Sequence, residues 1–241
     1  MKKTFLIAAI ALLALGMASC KKDDNTKQTP TAANPWENPN PGTTSGQWVD
    51  LGLPSGLQWY SVNLGAAAPE HYGYYYAWGE TSTKDAYHWG NYAYGSEMFD
   101  ITKYCNDTLF GHNGFSDNLR TLLPSDDAAT AVMGSGVRMP TQAEWQELVD
   151  NTTGEWTTLN NVKGYKFTAT NGNSLFLPAA GWRNEEELCY AGEEGYYWSS
   201  SLFRDGAFAV WDLKFGGSEY LHVDFYDRRY GTSVRAVRPR N

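Results

Sequence analysis

The residues best suited to ligand recognition are concentrated near the C-terminus, between residues 203 and 230. Arginine, tyrosine and tryptophan are the types most often found at binding hot spots, and this segment contains three arginines, three tyrosines and Trp211. If residues 220–226 form a strand, the even-numbered side chains share one side, while Leu221, Val223 and Phe225 face the core. Solvent-facing strand positions without a binding role are the alternative interpretation. The predicted ligand-binding residues are Phe203, Arg204, Trp211, Tyr220, His222, Asp224, Tyr226, Arg228 and Tyr230.

Side chains that could catalyse a reaction are present, but each has a simpler structural interpretation. The serines at 199–201 have no histidine and aspartate partners nearby in sequence, so a strand edge or turn is their expected role. Glu185–Glu187 could supply carboxylates for acid–base chemistry, although a solvated acidic loop explains this run better. Glu144 and Glu147 fit helix capping and a helix surface. We therefore predict no catalytic residue and no enzymatic activity.

The sequence lacks the spacing of a metal site. Its four histidines are scattered and no Cys-x-x-Cys pair occurs, so neither a metal nor a cofactor is predicted. Cys105 and Cys189 could form a disulfide in an oxidising compartment, or both could be buried as small hydrophobic residues. These two alternatives stay open at the level of sequence.

Two short helices are predicted ahead of the binding segment. The first has Ser125 as its N-cap, with Asp126–Asp127 in the first turn, where the helix dipole favours negative charge. It stops by Gly134. The second follows Thr141, because Thr141 and Glu144 have the spacing of a capping box. Its apolar face consists of Trp145, Leu148 and Val149.

Most of the remaining chain predicts short strands, which are aromatic or β-branched runs separated by glycine or asparagine. Few helices and many short strands predict an α+β domain with antiparallel sheets. The predicted strands are Trp48 to Leu51, Leu57 to Val62, Gly164 to Thr170, Ser174 to Pro178, Tyr196 to Ser200, Ala207 to Phe215, Glu219 to Phe225 and Ser233 to Val237.

The N-terminus has the pattern of a lipoprotein signal peptide. The apolar run Phe5–Leu15 is too short to span a hydrocarbon core of about 30 Å and suits a cleaved signal. Small residues precede Cys20, which resembles a bacterial lipobox, so residues 1–20 are the predicted signal peptide and Cys20 is the predicted lipid anchor. A secretory signal with a chance cysteine is the alternative. Residues 21–46 are predicted to be a disordered tether, and residues 47–241 the folded domain.

The charge pattern bears on location and partners. Lys21–Asp24 resembles the surface-export signal of some Gram-negative outer-membrane lipoproteins, although a solvated charge run is the alternative. The net charge of −8, the isoelectric point near 5.0 and the lack of a basic run argue against nucleic acid as a partner. We therefore expect a lipid-anchored, surface-exposed outer-membrane protein that contacts the membrane only through its anchor.

Three sets of motifs are spread over nearly all of the predicted domain. They are Val49–Leu53, Asn63–Ala66 and Tyr72–Thr81; then Asp126–Ala129, Val137–Thr141 and Glu144–Leu148; and finally Gly195–Ser201 and Gly231–Arg238. Together they resemble the Fibrobacter succinogenes major paralogous domain family. The resemblance covers about residues 47–239 and implies a C-type lectin-like fold, related to that of the formylglycine-generating enzymes.

The resemblance restricts what the domain can do. Formylglycine-generating enzymes use a cysteine pair near the C-terminus to bind copper, and here no cysteine follows Cys189. Calcium lectins carry a Trp-Asn-Asp motif, but the similar run at Trp211 has Leu213, which cannot ligate calcium. The C-terminal segment also resembles the variable region of retroelement-diversified proteins, in which a lectin-like frame carries the ligand-binding positions.

The expected function is therefore that of a surface lipoprotein. Its lectin-like domain would bind a protein or carbohydrate ligand through the C-terminal face and catalyse nothing. A retroelement-diversified receptor is one form that such a protein could take. The sequence leaves two alternatives open: a structural component such as an adhesin or pilus tip, and a degenerate relative of the formylglycine-generating enzymes.

Overall fold

A computed structural model describes residues 44–217 and 220–240, and the described chain consists mainly of short strands. Cys20, the predicted signal peptide and nearly all of the predicted tether lie outside these residues. The α-helices are α1 (Ala128–Met133) and α2 (Gln142–Asn151). The strands are β1 (Trp48–Asp50), β2 (Leu57–Asn63), β3 (Tyr75–Tyr76), β4 (Thr152–Leu159), β5 (Val162–Ala169), β6 (Ser174–Pro178), β7 (Trp182–Asn184), β8 (Glu187–Cys189), β9 (Glu194–Leu202), β10 (Ala209–Gly216), β11 (Tyr220–Asp227), β12 (Thr232–Ser233) and β13 (Arg235–Pro239).

The described strands form four sheets. The largest has the strand order β11-β10-β9-β12-β3, two sheets have the orders β1-β2-β13 and β4-β5-β6, and β7 pairs with β8. Strand β12 runs parallel to β9, whereas the other pairs of named strands are antiparallel. The prediction of antiparallel sheets with few helices is confirmed, and the architecture is compatible with an α+β or a mostly β class.

Helix α2 begins where its capping box predicts. Thr141 Oγ1 accepts a hydrogen bond from the Glu144 amide at 3.3 Å, and the Glu144 carboxylate accepts one from the Thr141 amide at 2.7 Å. Arg138 donates two further bonds to this carboxylate at 2.7 and 2.6 Å. Trp145 and Leu148 are buried, so the helix is fixed against one side of the largest sheet.

Helix α1 begins later than predicted. Residues Pro124–Asp126 form a 3-10 turn, and Asp127 is the N-cap, because its carboxylate accepts a hydrogen bond from the Thr130 amide at 3.0 Å. Asp126 lies outside the helix and pairs with Lys103 at 2.5 Å. The prediction of Ser125 as N-cap was wrong because the second of the two aspartates, and not the serine, caps the helix.

Strands β3, β4, β7 and β8 were missed by the sequence prediction. Strand β4 pairs with β5 along its whole length, from Thr152 opposite Ala169 to Leu159 opposite Val162. Its middle residues are mostly exposed, so it lacks the regular apolar alternation that reveals a strand. Tertiary pairing therefore fixes this strand more than its own pattern does.

Apolar clusters cover both sides of the largest sheet. One cluster lies under α2 and includes Trp59, Trp145, Phe167, Tyr197, Leu213 and Phe215. The other includes Trp78, Tyr104, Trp198 and Val210. Strand β11 forms one edge of this sheet, and most of its residues are only partly buried. The β11 edge is thus where the sheet reaches solvent.

Candidate recognition face

The register between β10 and β11 decides which candidate residues share a surface. Directly opposed residues of an antiparallel pair point to the same side of the sheet. One side carries Trp211, Leu213 and Phe215 opposite Phe225, Val223 and Leu221. The other carries Asp212, Lys214 and Gly216 opposite Asp224, His222 and Tyr220, with Val210 opposite Tyr226. We call the solvent-reaching part of this second side, together with Tyr230, the polar face; it consists of Lys214, Tyr220, His222, Asp224, Tyr226 and Tyr230.

The alternation predicted for β11 is confirmed. Leu221 and Val223 pack against the apolar cluster under α2. Phe225, on the same side, stacks on Phe203 with 4.0 Å between ring centroids. The side chains of the even-numbered β11 residues therefore point to the opposite side of the sheet, which carries the polar face.

Two predicted binding residues, Phe203 and Trp211, lie on the opposite side of the sheet from the polar face. Their ring centroids are 5.1 Å apart, and Trp211 stands opposite Phe225. The prediction of a single surface was wrong for this pair. The side on which a residue of β10 lies depends on its register with β11, and this register is not visible in the sequence.

The prediction that Arg228 contacts a ligand is also wrong. Its side chain is fully buried, with 0% exposure. The guanidinium donates hydrogen bonds of 2.7 to 3.1 Å to the Tyr92 hydroxyl and to the carbonyls of Lys103, Tyr104 and Ala207. It also lies 5.0 Å from the centre of the Trp78 ring. Arg228 therefore ties the end of β11 to the neighbouring loops.

Arg204 is exposed but lies apart from the polar face. Its side chain is 87% exposed and forms an ion pair of 3.5 Å with Asp205, in the loop between β9 and β10. Five of the predicted residues are thus brought together, and they are Tyr220, His222, Asp224, Tyr226 and Tyr230.

Two buried aromatic residues that the sequence prediction missed lie under the polar face. Trp182 of β7 is 4.5 Å from Tyr230 and 5.2 Å from Tyr226, measured between ring centroids. Tyr196 of β9 is 5.0 Å from Tyr226. Such tilted and edge-to-face contacts add about 0.5–1.5 kcal/mol each beyond area burial. We call Trp182 and Tyr196 the aromatic floor, since they hold the exposed tyrosines in fixed positions.

The polar face carries both charged groups and tyrosine hydroxyls. Lys214 Nζ lies 5.2 and 5.5 Å from the ring centroids of Tyr196 and Tyr220, and His222 Nε2 lies 3.4 Å from Asp224 Oδ2. Burial raises the pKa of the Tyr220, Tyr226 and Tyr230 hydroxyls, which therefore stay protonated at neutral pH. The face thus offers phenol donors, an ammonium group, an imidazole and a carboxylate.

A buried carboxyl group lies within the same side of the sheet. Asp212 is 0% exposed, and neither of its carboxyl oxygens has a hydrogen-bond partner among the described residues. Burial raises the pKa of Asp212 well above its ordinary value, and the negative charge of Asp224 raises it further. Burial in this position therefore favours the protonated form of the Asp212 carboxyl. Trp182 Nε1 also lacks a partner within the described chain.

Tyr230 is positioned by the loop that follows β11. Arg229 lies 3.2 Å from the Asp227 carboxylate, 3.1 Å from the Asn184 side-chain oxygen and 3.0 Å from the Tyr230 hydroxyl. Burial raises the pKa of Asp227 to about 6, although the charge of Arg229 acts in the opposite direction. These bonds fix the loop to β7, which also carries Trp182 of the aromatic floor.

The other groups considered from the sequence occupy structural positions. The Ser199 carbonyl accepts a hydrogen bond from the Trp78 indole at 2.7 Å, and Ser201 Oγ accepts one from the Gln142 amide at 3.1 Å.

Cys105 is a free, buried thiol, so it does not form a disulfide with Cys189. Within residues 44–217 and 220–240, no three His, Cys, Asp or Glu side chains converge as metal ligands. In the same ranges, no helix is long and apolar enough to cross a membrane.

Comparisons with known proteins give no match to a protein-family model, to a curated protein or to a solved structure. The resemblance to the Fibrobacter succinogenes major paralogous domain family stays a prediction from the motifs. The function therefore has to be inferred from the polar face itself.

Proposed function

We propose that this chain is a lipid-anchored surface protein whose lectin-like domain binds a protein or glycan ligand through the polar face and catalyses no reaction. The observation that carries this proposal is the arrangement of Tyr220, Tyr226 and Tyr230. These side chains are partly exposed, and Tyr226 and Tyr230 pack directly on the buried aromatic floor.

Fixed tyrosines lower the entropic cost of recognition. Binding normally loses about 0.5–1.5 kcal/mol for each flexible side chain that it orders. Here the rings are already ordered by their contacts with Trp182 and Tyr196. Tyrosine also supplies a large contact area together with a hydroxyl, at the cost of few rotatable bonds.

The charged side chains of the polar face support the same proposal. His222 is exposed, and Lys214 and Asp224 are partly exposed. Their ammonium, imidazole and carboxylate groups form charge-assisted hydrogen bonds with hydroxyl and amide groups. Polar ligands that carry such groups, as glycans and protein surfaces do, fit this face.

The lipid anchor and the tether would present this face away from a membrane. A flexible chain as long as residues 21–46 has an r.m.s. end-to-end distance of about 30 Å. Acylation of Cys20 is directly testable. We expect labelled palmitate to be incorporated into the native chain in cells and not into a Cys20→Ser variant. Equal labelling of both proteins would refute the anchor.

Ligand binding can be tested with arrays of glycans and of cell-surface proteins probed with the purified full-length protein. We expect a ligand whose affinity falls about tenfold or more in a His222→Ala/Tyr226→Phe variant, which removes an imidazole and a hydroxyl. Arg204→Ala is the matched control, because Arg204 is exposed but lies off the face. The proposal fails if no array component binds, or if both variants bind as the native protein does.

A further inference from the structure

A groove of about 390 Å³ lies on the outer side of the sheet β4-β5-β6. Its base is a row of opposed residues, in which Glu155 faces Lys166 and Lys166 faces Phe176. The other side of this sheet carries Tyr165 and Leu177, which belong to the apolar cluster under α2. This cluster and the largest sheet separate the groove from the polar face. The outer groove, as we call it, is therefore a distinct surface.

The floor of the outer groove depends on a glycine. A Cβ atom at Gly164 would lie 2.5 Å from Phe176 Cζ and 2.4 Å from the Leu177 carbonyl oxygen. The absence of a side chain at this position lets the Phe176 ring lie across β5. The ring is 8% exposed, and together with Pro69 and Leu159 it gives the groove an apolar part.

A hydrogen bond fixes one end of the groove. Ser61 and Pro69 form the wall opposite β4. The next residue, Glu70, accepts a hydrogen bond of 2.7 Å from Asn160, which lies in the turn between β4 and β5. The loop that carries Pro69 is thus joined to the tip of the hairpin, and the two walls are held together.

Four polar side chains of the groove have no partner among the described residues. Glu155, Thr157, Lys166 and Ser174 line the groove, and their side chains make no hydrogen bond or ion pair with any described residue. The groove therefore presents an acceptor carboxylate, a donor ammonium group and two hydroxyls, all available to a ligand.

We propose that the outer groove binds a neutral, polyhydroxylated ligand of the size of a mono- or disaccharide. The carboxylate of Glu155 and the ammonium group of Lys166 stand opposite each other. Because one negative and one positive charge offset each other, the groove favours neither an anionic nor a cationic ligand. Both groups form charge-assisted hydrogen bonds with hydroxyls, and the apolar surface of Pro69, Leu159 and Phe176 suits the C–H groups of a sugar. The volume lies within the range of about 300–1,000 Å³ that is typical of small-ligand sites.

This site is tested by titrating the full-length protein with maltose, cellobiose and lactose, up to about 10 mM, which detects a Kd near 1 mM. We expect at least one of these sugars to bind. Glu155→Gln and Lys166→Gln should each weaken this binding about tenfold, because each removes a charge-assisted hydrogen bond. Lys163→Gln is the matched control: Lys163 lies on the same strand, is exposed and points to the other side of the sheet.

Charged sugars tested beside the neutral ones decide the ligand class. Weaker binding of glucuronate and glucosamine than of the neutral sugars would support the proposal. It is overturned if none of the three neutral sugars binds, if either charged sugar binds more tightly, or if the Lys163 variant weakens binding as much as the groove variants do. Since the polar-face variant His222→Ala/Tyr226→Phe leaves the groove intact, it should bind the sugars normally.

Discussion

The polar face and the outer groove expose polar side chains on sheets in two different ways. On the polar face, Tyr226 and Tyr230 are packed on each other and on a buried tryptophan. In the groove, the side chains of Glu155 and Lys166 have no partner in the described chain. The difference follows from what lies beneath: an aromatic floor in one case, and a glycine that leaves room for a single ring in the other.

Because of this difference, substitutions on the two surfaces should affect protein stability and ligand binding differently. Side chains that are packed together contribute to the free energy of unfolding, so changes on the polar face affect folding and recognition at once. Side chains without partners in the folded protein contribute little to the free energy of unfolding, so substituting them changes only ligand affinity. Substitutions in the two regions should therefore differ most in their effect on the free energy of unfolding.

The largest effect is expected at Arg228, which supports the end of the polar-face strand. Arg228→Met would leave the carbonyls of Lys103, Tyr104 and Ala207 without their donor. We expect the free energy of unfolding to fall by about 3 kcal/mol, as is typical when one partner of a buried charged interaction is removed. Urea denaturation measures this loss. Arg204→Met should leave the denaturation midpoint unchanged, and a similarly small change at Arg228 would contradict a structural role for it.

A smaller effect is expected at the tyrosines of the polar face. Tyr226→Ala removes ring contacts with Trp182, Tyr196 and Tyr230. Since Tyr226 is only partly buried, we expect a loss of about 2 kcal/mol in urea denaturation, below that of a fully buried aromatic residue. The groove variants Glu155→Gln and Lys166→Gln should change stability by less than about 0.5 kcal/mol. Equal losses in the two regions would remove the distinction between them.

The sequence predicted local structure better than the site. Thr141 and Glu144 are enough to place α2, because a capping box acts over three residues. The side of Trp211 depends on the register of β10 with β11, and the burial of Arg228 depends on carbonyls more than a hundred residues away in Lys103 and Tyr104. Trp182 reaches the face from β7, a short strand without a recognisable pattern. Non-local contacts therefore decided which candidates form the face.

A pH-dependent effect is expected from Asp212. Its pKa is raised in the folded state, so the native protein keeps a proton that the unfolded chain has already lost. Stability should therefore fall as the pH rises from about 4 to the folded-state pKa, by no more than about 1.4 kcal/mol per pH unit. Asp212→Asn, which is neutral at every pH, should match the native protein near pH 4 and become progressively more stable above it.

Denaturation of both proteins in urea between about pH 4 and pH 9 measures the difference directly. Taking the difference cancels the contribution of Asp227, whose pKa of about 6 also lowers native stability as the pH rises. A constant difference over the whole range would show that Asp212 has the same pKa in both states. It would also contradict the raised pKa of the buried Asp212 carboxyl.

The smallest effect is expected at the tip of the groove hairpin. Asn160 and Asn161 both have positive φ, at 47° and 66°, so glycine fits either position without strain. Only Asn160 bonds to Glu70 in the described structure. Asn160→Gly should therefore loosen the loop after Pro69 by about 0.5 kcal/mol, the low end for one exposed hydrogen bond, while Asn161→Gly should not. Faster amide hydrogen exchange at His71, whose amide bonds to Ala68, in the first variant alone would show that this bond holds the groove walls together; equal exchange in both would show that the walls keep their positions without it.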